Sequence, residues 1–218
     1  MREKLLFAVV YVEHPTYVSS LDVRVLGDAG GSMVRANKSG VIDVGPRSAH
    51  IAGVEYGVFT DPDKIVNGKV EFFSPKPGDP DDYVAIRLGN GERITLTNTC
   101  AANALGILEP GDLSYGNVEA ARKAIKVLAD FCGTTLEDIA TQIMDRAIDK
   151  IKPVFASLVE KYKLEKKQMS LVGVGGGAAV LVKSARFTMA EFILKVCSLI
   201  QRFKLPVAFV DGNEQRIG

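Results

Sequence analysis

The spacing of apolar residues changes along the chain, from alternation in the first half to a helical stripe in the second. In "DYVAIRLGNGERITLTN" (82–98), apolar and polar residues alternate on both sides of Asn90-Gly91. This pattern predicts two strands joined by a tight hairpin, with positive φ at both turn residues. Farther on, small and apolar residues recur at helical spacing: Ala121, Ala124, Ile125 and Leu128. The order predicts an α/β fold with a β-rich first half and a helical second half.

Local signals give boundaries for the helical half. Asn117 predicts the start of the helix that carries this stripe, and Gly133 predicts its end. Thr134 and Glu137 have the spacing of a capping box and predict the start of a second helix. Pro153 is predicted to kink or split that second helix, because proline lacks a backbone donor.

The chain is predicted to divide into residues 1–115, a β-rich part with glycine turns and the hairpin, and residues 116–218. The second part is helical and includes a strand, a glycine loop and a further helix. One composite domain built from both parts is equally consistent with the pattern. In the first part, "YVSSLDVRVL" (17–26) alternates apolar and polar residues toward its end and predicts a strand.

Charge and cysteine usage limit the partners and the compartment. Lys plus Arg (27) and Asp plus Glu (26) nearly cancel, so neither nucleic acid nor an anionic membrane is expected as a partner. The three cysteines are far apart and form no Cys-x-x-Cys pair, which argues against a disulfide framework or a zinc site. We expect a cytoplasmic protein.

A glycine run interrupts the second half in "LVGVGGGAAVLVK" (171–183). Between a strand and a helix, such a run lets a ligand approach backbone N–H groups near a helix N-terminus. The spacing matches neither a Walker loop nor a dinucleotide fingerprint. The predicted nucleotide-binding residues of this run are Gly175, Gly176, Gly177 and Ala178. The alternative is a tight turn at which strand and helix pack closely.

A second glycine turn lies in "LGDAGGSMVR" (26–35). Gly30 and Gly31 permit close backbone approach, and Ser32 suits a phosphate contact. Asp28 is a candidate for holding a metal ion, a water molecule or part of the substrate. The alternative is an ordinary β-turn, in which Asp and Gly are common.

A third turn, "VGPRSAH" (44–50), places Arg47 and Ser48 beside a proline. Arg47 is a candidate anion clamp for the substrate, with Ser48 next to it. An exposed arginine with a purely structural role is the alternative. No Ser-His-Asp or Cys-His arrangement and no metal-ligand cluster is evident in the sequence, so the catalytic residues are not predicted.

Four stretches, taken in order, resemble the hydantoinase/oxoprolinase family, which includes hydantoinase A subunits, 5-oxoprolinase and acetone or acetophenone carboxylase subunits. The similarity covers roughly residues 20–183, the C-terminal portion of the family's pattern. The matching stretches are "SLDVRVLGDAGGSMVRANKSGVIDVGPRSA", "ITLTNTCAANALGIL", "EAARKAIKVLADFCGTTLEDIATQIMDRA" and "SLVGVGGGAAVLV".

The resemblance implies an actin-like ATPase fold of the ribonuclease-H-like type, present in part, with ATP and Mg²⁺ as cofactors. It implies that the Gly175–Ala178 loop lies on the adenosine side of the nucleotide. It also implies a small cyclic amide or carbonyl substrate and a second, B-type subunit as partner. The expected function is the ATP-binding portion of an ATP-dependent cyclic-amide hydrolase, or of a related carboxylase subunit.

The chain departs from the family pattern in several places. An early D-x-G-G-T phosphate loop is missing, so this fragment is expected to be inactive alone. Asn98 or Thr99 replaces an acid in "TNTCAANA", and the tail 184–218 is atypical. A non-catalytic remnant or assembly domain with the same fold is therefore the alternative function.

Overall fold

The computed structural model describes residues 7–11, 14–20, 24–164, 175–177 and 180–181, and for residues 7–20 it describes the backbone only. The strands are β1 (Phe7–Tyr11), β2 (His14–Ser20), β3 (Ser32–Asn37), β4 (Gly40–Ser48), β5 (Glu55–Tyr56), β6 (Lys69–Phe73), β7 (Tyr83–Arg87) and β8 (Arg93–Thr95). The α-helices are α1 (Ala49–Ala52), α2 (Asn98–Ala104), α3 (Val118–Cys132) and α4 (Leu136–Lys161). The predicted mixed α/β fold is confirmed.

Six of these strands form one sheet, and β1 and β2 form a separate antiparallel pair. The order in the sheet is β4-β3-β7-β8-β5, with β6 paired to β7. All pairs are antiparallel except β5 with β8, which is parallel. Just beyond β8, Val34 donates its N–H to the Leu96 carbonyl at 2.9 Å. This contact brings the start of β3 beside the start of α2.

The helices cover the sheet and enclose the core. Helices α2, α3 and α4 pack against one another, and α4 also packs against β4. The stripe predicted for α3 is fully buried, at Ala121, Ala124, Ile125 and Leu128. The predicted ends are also confirmed, since the Asn117 side chain accepts the Ala120 N–H and Gly133 ends the helix at φ 74°. Both signals are local, which is why the sequence alone reveals them.

The start of α4 is one residue later than predicted. Thr135 caps the helix, and its hydroxyl accepts the Asp138 N–H at 3.1 Å. The predicted pair Thr134 and Glu137 does not form the capping box, because the Thr134 hydroxyl is instead bonded to the Asp138 carboxylate at 2.8 Å. Pro153 lies inside α4 and does not split it.

The hairpin forms, but its turn differs from the prediction. Gly91 has a φ of 89°, whereas Asn90 does not have positive φ. The Asn90 side chain accepts the N–H of Glu92 at 3.0 Å, and Leu88 donates its N–H to the Glu92 carbonyl at 2.8 Å. The loop thus has three residues with one left-handed glycine, because the Asn90 side chain bonds locally instead of occupying a left-handed position.

Three further findings concern the strand predicted near the N-terminus, membrane-spanning helices and the cysteines. The strand predicted over residues 17–26 is shorter, because β2 ends at Ser20 and residues 24–26 are not in a strand; residues 21–23 lie outside the described residues. Within the described residues, no helix is both long enough and apolar enough to cross a membrane. Cys100 and Cys132 are free thiols.

Candidate functional site

The glycine turn before β3 is held in shape by its own serine. Ala29 donates its N–H to the Ser32 hydroxyl at 2.9 Å, and Ser32 donates its N–H to the Ala29 carbonyl at 3.1 Å. Ser32 is buried, and Gly30 is buried as well. The turn Asp28–Ser32, which we call the glycine turn, is therefore a fixed element at the start of β3.

The first residues of α2 bind the other side of the glycine turn. Thr99 donates both its N–H and its hydroxyl to the Gly30 carbonyl, at 2.8 Å and 2.9 Å. Asn98 donates its two amide hydrogens to Asp28 Oδ1 and to the Ala29 carbonyl, each at 2.9 Å. The segment "TNTCAANA", in which Asn98 or Thr99 stands where the family pattern has an acid, thus lies directly against the predicted phosphate-binding turn.

Two buried oxygen atoms at this contact have no hydrogen-bond partner in the described structure: Asp28 Oδ2 and Asn98 Oδ1. Asn98 is fully buried. Its orientation is fixed, because the opposite orientation of the amide would place its oxygen against two other acceptors, Asp28 Oδ1 and the Ala29 carbonyl. An unpartnered buried acceptor costs about 1–3 kcal/mol. The pair is therefore suited to a donor or a cation.

Burial raises the pKa of the Asp28 carboxyl above its ordinary value. Hydrogen bonds from Ser32 and Asn98, and the positive charge of Lys150, oppose this shift. Lys150 reaches the region from α4 and forms an ion pair with Asp43 at 2.7 Å. The carboxylate form of Asp28 is consequently destabilised by desolvation and would gain from a nearby positive charge.

The two predicted glycine elements meet in the structure. A β-carbon built on Gly177 would lie 3.2 Å from the Gly30 nitrogen, and one built on Gly30 would lie 3.4 Å from the Gly177 Cα. A β-carbon on Gly176 would lie 2.5 Å from the Ser114 hydroxyl. Gly175 has a φ of 82° and open space where a side chain would be, and Ala178 lies outside the described residues.

These contacts bear on both readings of the glycine run. Close packing accounts for the missing side chains at Gly176 and Gly177, since each lies against another part of the protein. Gly175 is not enclosed, but its φ of 82° favours glycine, as the tight turn of the alternative requires. The assignment of the run to nucleotide binding therefore stays a prediction.

Donor groups on the glycine turn are also unused. Within residues 24–164 and the other described segments, the N–H groups of Gly30 and Gly31 have no acceptor. The described side chain nearest to a β-carbon built on Gly31 is Tyr56, whose hydroxyl would lie 2.2 Å from it. Sequence reasoning missed Tyr56, because nothing in "VEYGVF" indicates that β5 runs beside the turn.

Arg47 and Ser48, the other predicted substrate contacts, are engaged elsewhere. Arg47 forms a two-pronged ion pair with Asp79, with both distances at 2.8 Å. The Ser48 hydroxyl caps α1 by accepting the Ile51 N–H. Ser48 nevertheless pairs with Ser32 across β3 and β4, so the third turn adjoins the glycine turn. Their roles in anion binding stay predictions.

Asn103 is a second residue that sequence reasoning missed. It is fully buried, and its amide group donates to the carbonyls of Thr99 and Ser114 and accepts the N–H of Gly116. It thereby fixes the loop that carries Ser114 against α2. Gly176 lies close to this loop, at the Ser114 side chain.

The fold and the site together define a mixed α/β protein in which a glycine turn, the start of a helix and a glycine-rich segment meet beside one strand. The sequence matches the family described as hydantoinase/oxoprolinase over residues 3–203. The chain therefore belongs to the hydantoinase/oxoprolinase family, which confirms the resemblance found from the motifs. The comparisons with curated proteins and with solved structures gave no match.

Proposed function

We propose that the chain is the ATP-binding portion of an ATP-dependent cyclic-amide hydrolase of the hydantoinase/oxoprolinase type, or of a related carboxylase subunit. Membership of the family supports the class of enzyme. The observation that carries the nucleotide site is that donors on the glycine turn, and acceptors on the turn and at the start of α2, have no partner among the described residues.

The two kinds of unused group suit the two parts of a metal–nucleotide complex. The N–H groups of Gly30 and Gly31 are donors of the kind that bind phosphate oxygens in backbone cradles. Asp28 Oδ2 and Asn98 Oδ1 are acceptors of the kind that bind Mg²⁺. A simple anion would satisfy only the donors, and a free cation only the acceptors.

Mg²⁺ fits the residues present. Within the described part of the chain there is no group of three or more His, Cys, Asp or Glu side chains that could enclose a metal ion. Mg²⁺ usually keeps several waters and takes one or two protein oxygens together with phosphates, so a large cluster is not required. Asp28 and Asn98 would hold it, and its charge would offset the desolvation of the Asp28 carboxylate.

The proposed fold is the actin-like ATPase fold, with Gly175–Ala178 on the adenosine side. When bound, ATP would supply its γ-phosphoryl group to a substrate amide or carbonyl oxygen, with ADP as the leaving group, and so make the attached carbon more open to nucleophilic attack. The residues of this chain would bind and orient the phosphates through fixed backbone dipoles, which need no rearrangement during the reaction. A small cyclic amide or carbonyl substrate and a B-type subunit belong to the same proposal.

The test is calorimetric titration of the 218-residue chain with MgATP. We expect micromolar binding by the wild type and a loss of at least about tenfold in Asp28→Asn, since the substitution removes the one negative charge that these residues offer to Mg²⁺. The matched control is Asp63→Asn, because the Asp63 side chain is 93% exposed and distant in sequence from the turn. Absence of binding by the wild type would favour the alternative, a non-catalytic assembly domain.

A further inference from the structure

Tyr56 lies over the glycine turn from the neighbouring strand β5. Its ring packs beside Phe59, with ring centroids 5.6 Å apart. A β-carbon on Gly31 would lie 2.2 Å from the Tyr56 hydroxyl oxygen and 3.2 Å from the ring carbon that carries it. The hydroxyl therefore occupies the space that a side chain at residue 31 would fill.

Among the described residues, Tyr56 makes a hydrogen bond through its carbonyl, which accepts the Thr60 hydroxyl, and none through its own hydroxyl. A buried tyrosine hydroxyl usually has a hydrogen-bond partner. Tyr56 is half-buried, and its hydroxyl is not a fully enclosed atom, so a ligand can reach it. Burial raises the pKa of the Tyr56 hydroxyl, so the group keeps its proton at neutral pH and is available as a donor.

A third donor without a partner among the described residues thus lies beside Gly31, whose N–H and that of Gly30 also lack an acceptor there. Unused donors of two different kinds around one residue indicate an acceptor-rich ligand with more than one oxygen. We propose that the Tyr56 hydroxyl is a ligand-binding residue that donates a hydrogen bond to a phosphoryl oxygen held at the glycine turn. This inference rests on the proposed nucleotide site.

The competing explanation is that the hydroxyl only fills space beside Gly31. The two explanations differ in which property a Tyr56→Phe substitution changes. Phenylalanine keeps the ring and its contact with Phe59, and it removes only a hydroxyl that makes no hydrogen bond among the described residues. If the hydroxyl binds phosphate, affinity falls while stability is kept.

Tyr83 provides a matched control with the opposite expectation. It is fully buried, and its hydroxyl donates to the Gly45 carbonyl at 2.9 Å. Tyr83→Phe removes the same atom from a tyrosine whose hydroxyl is already satisfied within the protein. This control should lower the melting temperature and leave ligand affinity unchanged.

The experiment is calorimetric titration of MgATP into the wild type, Tyr56→Phe and Tyr83→Phe, with the melting temperature of each measured without ligand. We expect Tyr56→Phe to weaken MgATP binding about tenfold to a hundredfold at an unchanged melting temperature, the effect of one lost hydrogen bond to a charged group. Equal affinities in Tyr56→Phe and the wild type overturn this inference and leave the nucleotide site standing. If the wild type does not bind MgATP, both are overturned.

Discussion

The Cα of Gly177 lies against the main chain of Gly30, so that a β-carbon on Gly177 would come within 3.2 Å of the Gly30 nitrogen. Two glycine segments far apart in sequence are thereby joined at the start of β3. The contact also places the Gly30 N–H, which has no acceptor in the described structure, beside the second segment. A change at Gly177 should therefore act on the glycine turn.

Gly177→Ala is expected to weaken MgATP binding by about tenfold or more. The added methyl group presses on backbone atoms, which cannot turn aside as a side chain can, so the Gly30 N–H is displaced. Gly89→Ala is the matched control, because its methyl group would lie 3.1 Å from the backbone oxygen of Val66, a contact of the same kind outside the glycine turn and the glycine run. Calorimetry on both variants checks the prediction. Equal effects of the two substitutions would contradict it.

Asp28→Asn is expected to stabilise the ligand-free protein at neutral pH. Because burial raises the native pKa of Asp28, the native state retains the proton above the unfolded-state pKa near 3.8. The stability of the wild type should therefore decline as the pH rises from below 3.8 through the native pKa of Asp28. Asp28→Asn should not show this decline, because an amide does not titrate. The difference in melting temperature between variant and wild type should grow from about pH 3 to about pH 7.

Magnesium provides the second part of this prediction. Millimolar Mg²⁺ should raise the melting temperature of the wild type, because a ligand that binds only the native state stabilises it. It should leave Asp28→Asn unchanged. The same measurement on Asp63→Asn, where the exposed carboxylate is far from the turn in sequence, gives the non-specific effect of the salt. A pH-independent difference together with no response to Mg²⁺ in the wild type would rule out the proposed role of Asp28.

The sequence predicts helix α3 well because its signals are local. A capping asparagine, a stripe at helical spacing and a terminal glycine lie within one segment, and each acts on its own neighbours. The errors also have local causes. Asn90 and Thr134 each have two available hydrogen-bond arrangements, and sequence spacing does not decide between them.

The candidate site is less predictable because its contacts are tertiary. The sequence singles out Asp28, Gly30 and Gly177 one at a time, but it gives no sign that the last two touch. The orientation of Asn98 depends on two acceptors from the glycine turn, and the position of the Tyr56 hydroxyl depends on parallel pairing between β5 and β8. None of these relationships has a spacing that a pattern could detect.

Ile125→Ala is expected to destabilise the protein by about 2–5 kcal/mol, the usual cost of truncating a buried aliphatic side chain. Ile125 belongs to α3, and its side chain is fully buried in the core. The control is the next residue, Lys126→Ala, which loses only an exposed ion pair with Asp130. Urea denaturation of both variants checks the prediction. Similar midpoints for the two would mean that α3 does not pack on the sheet as described.

Gly31→Ala is expected to destabilise the protein by about 1–3 kcal/mol through overpacking. Gly31 does not have positive φ, so alanine fits its backbone and the cost comes from the 2.2 Å approach to the Tyr56 hydroxyl. In a Tyr56→Phe background the nearest ring atom is 3.2 Å away, a contact that a small shift relieves. The double variant should therefore recover most of the stability that Gly31→Ala loses, giving a coupling energy of about 1 kcal/mol.

Urea denaturation of the four proteins in this cycle measures the coupling. Additive effects would show that the Tyr56 hydroxyl is not at Gly31, which would also remove the geometric basis for its contact with a phosphoryl oxygen. A clear coupling energy would show that the Tyr56 hydroxyl lies beside Gly31 in the ligand-free protein. The position of Tyr56 can thus be established independently of the nucleotide site, and a later failure of MgATP binding would then count against the ligand and not against the geometry.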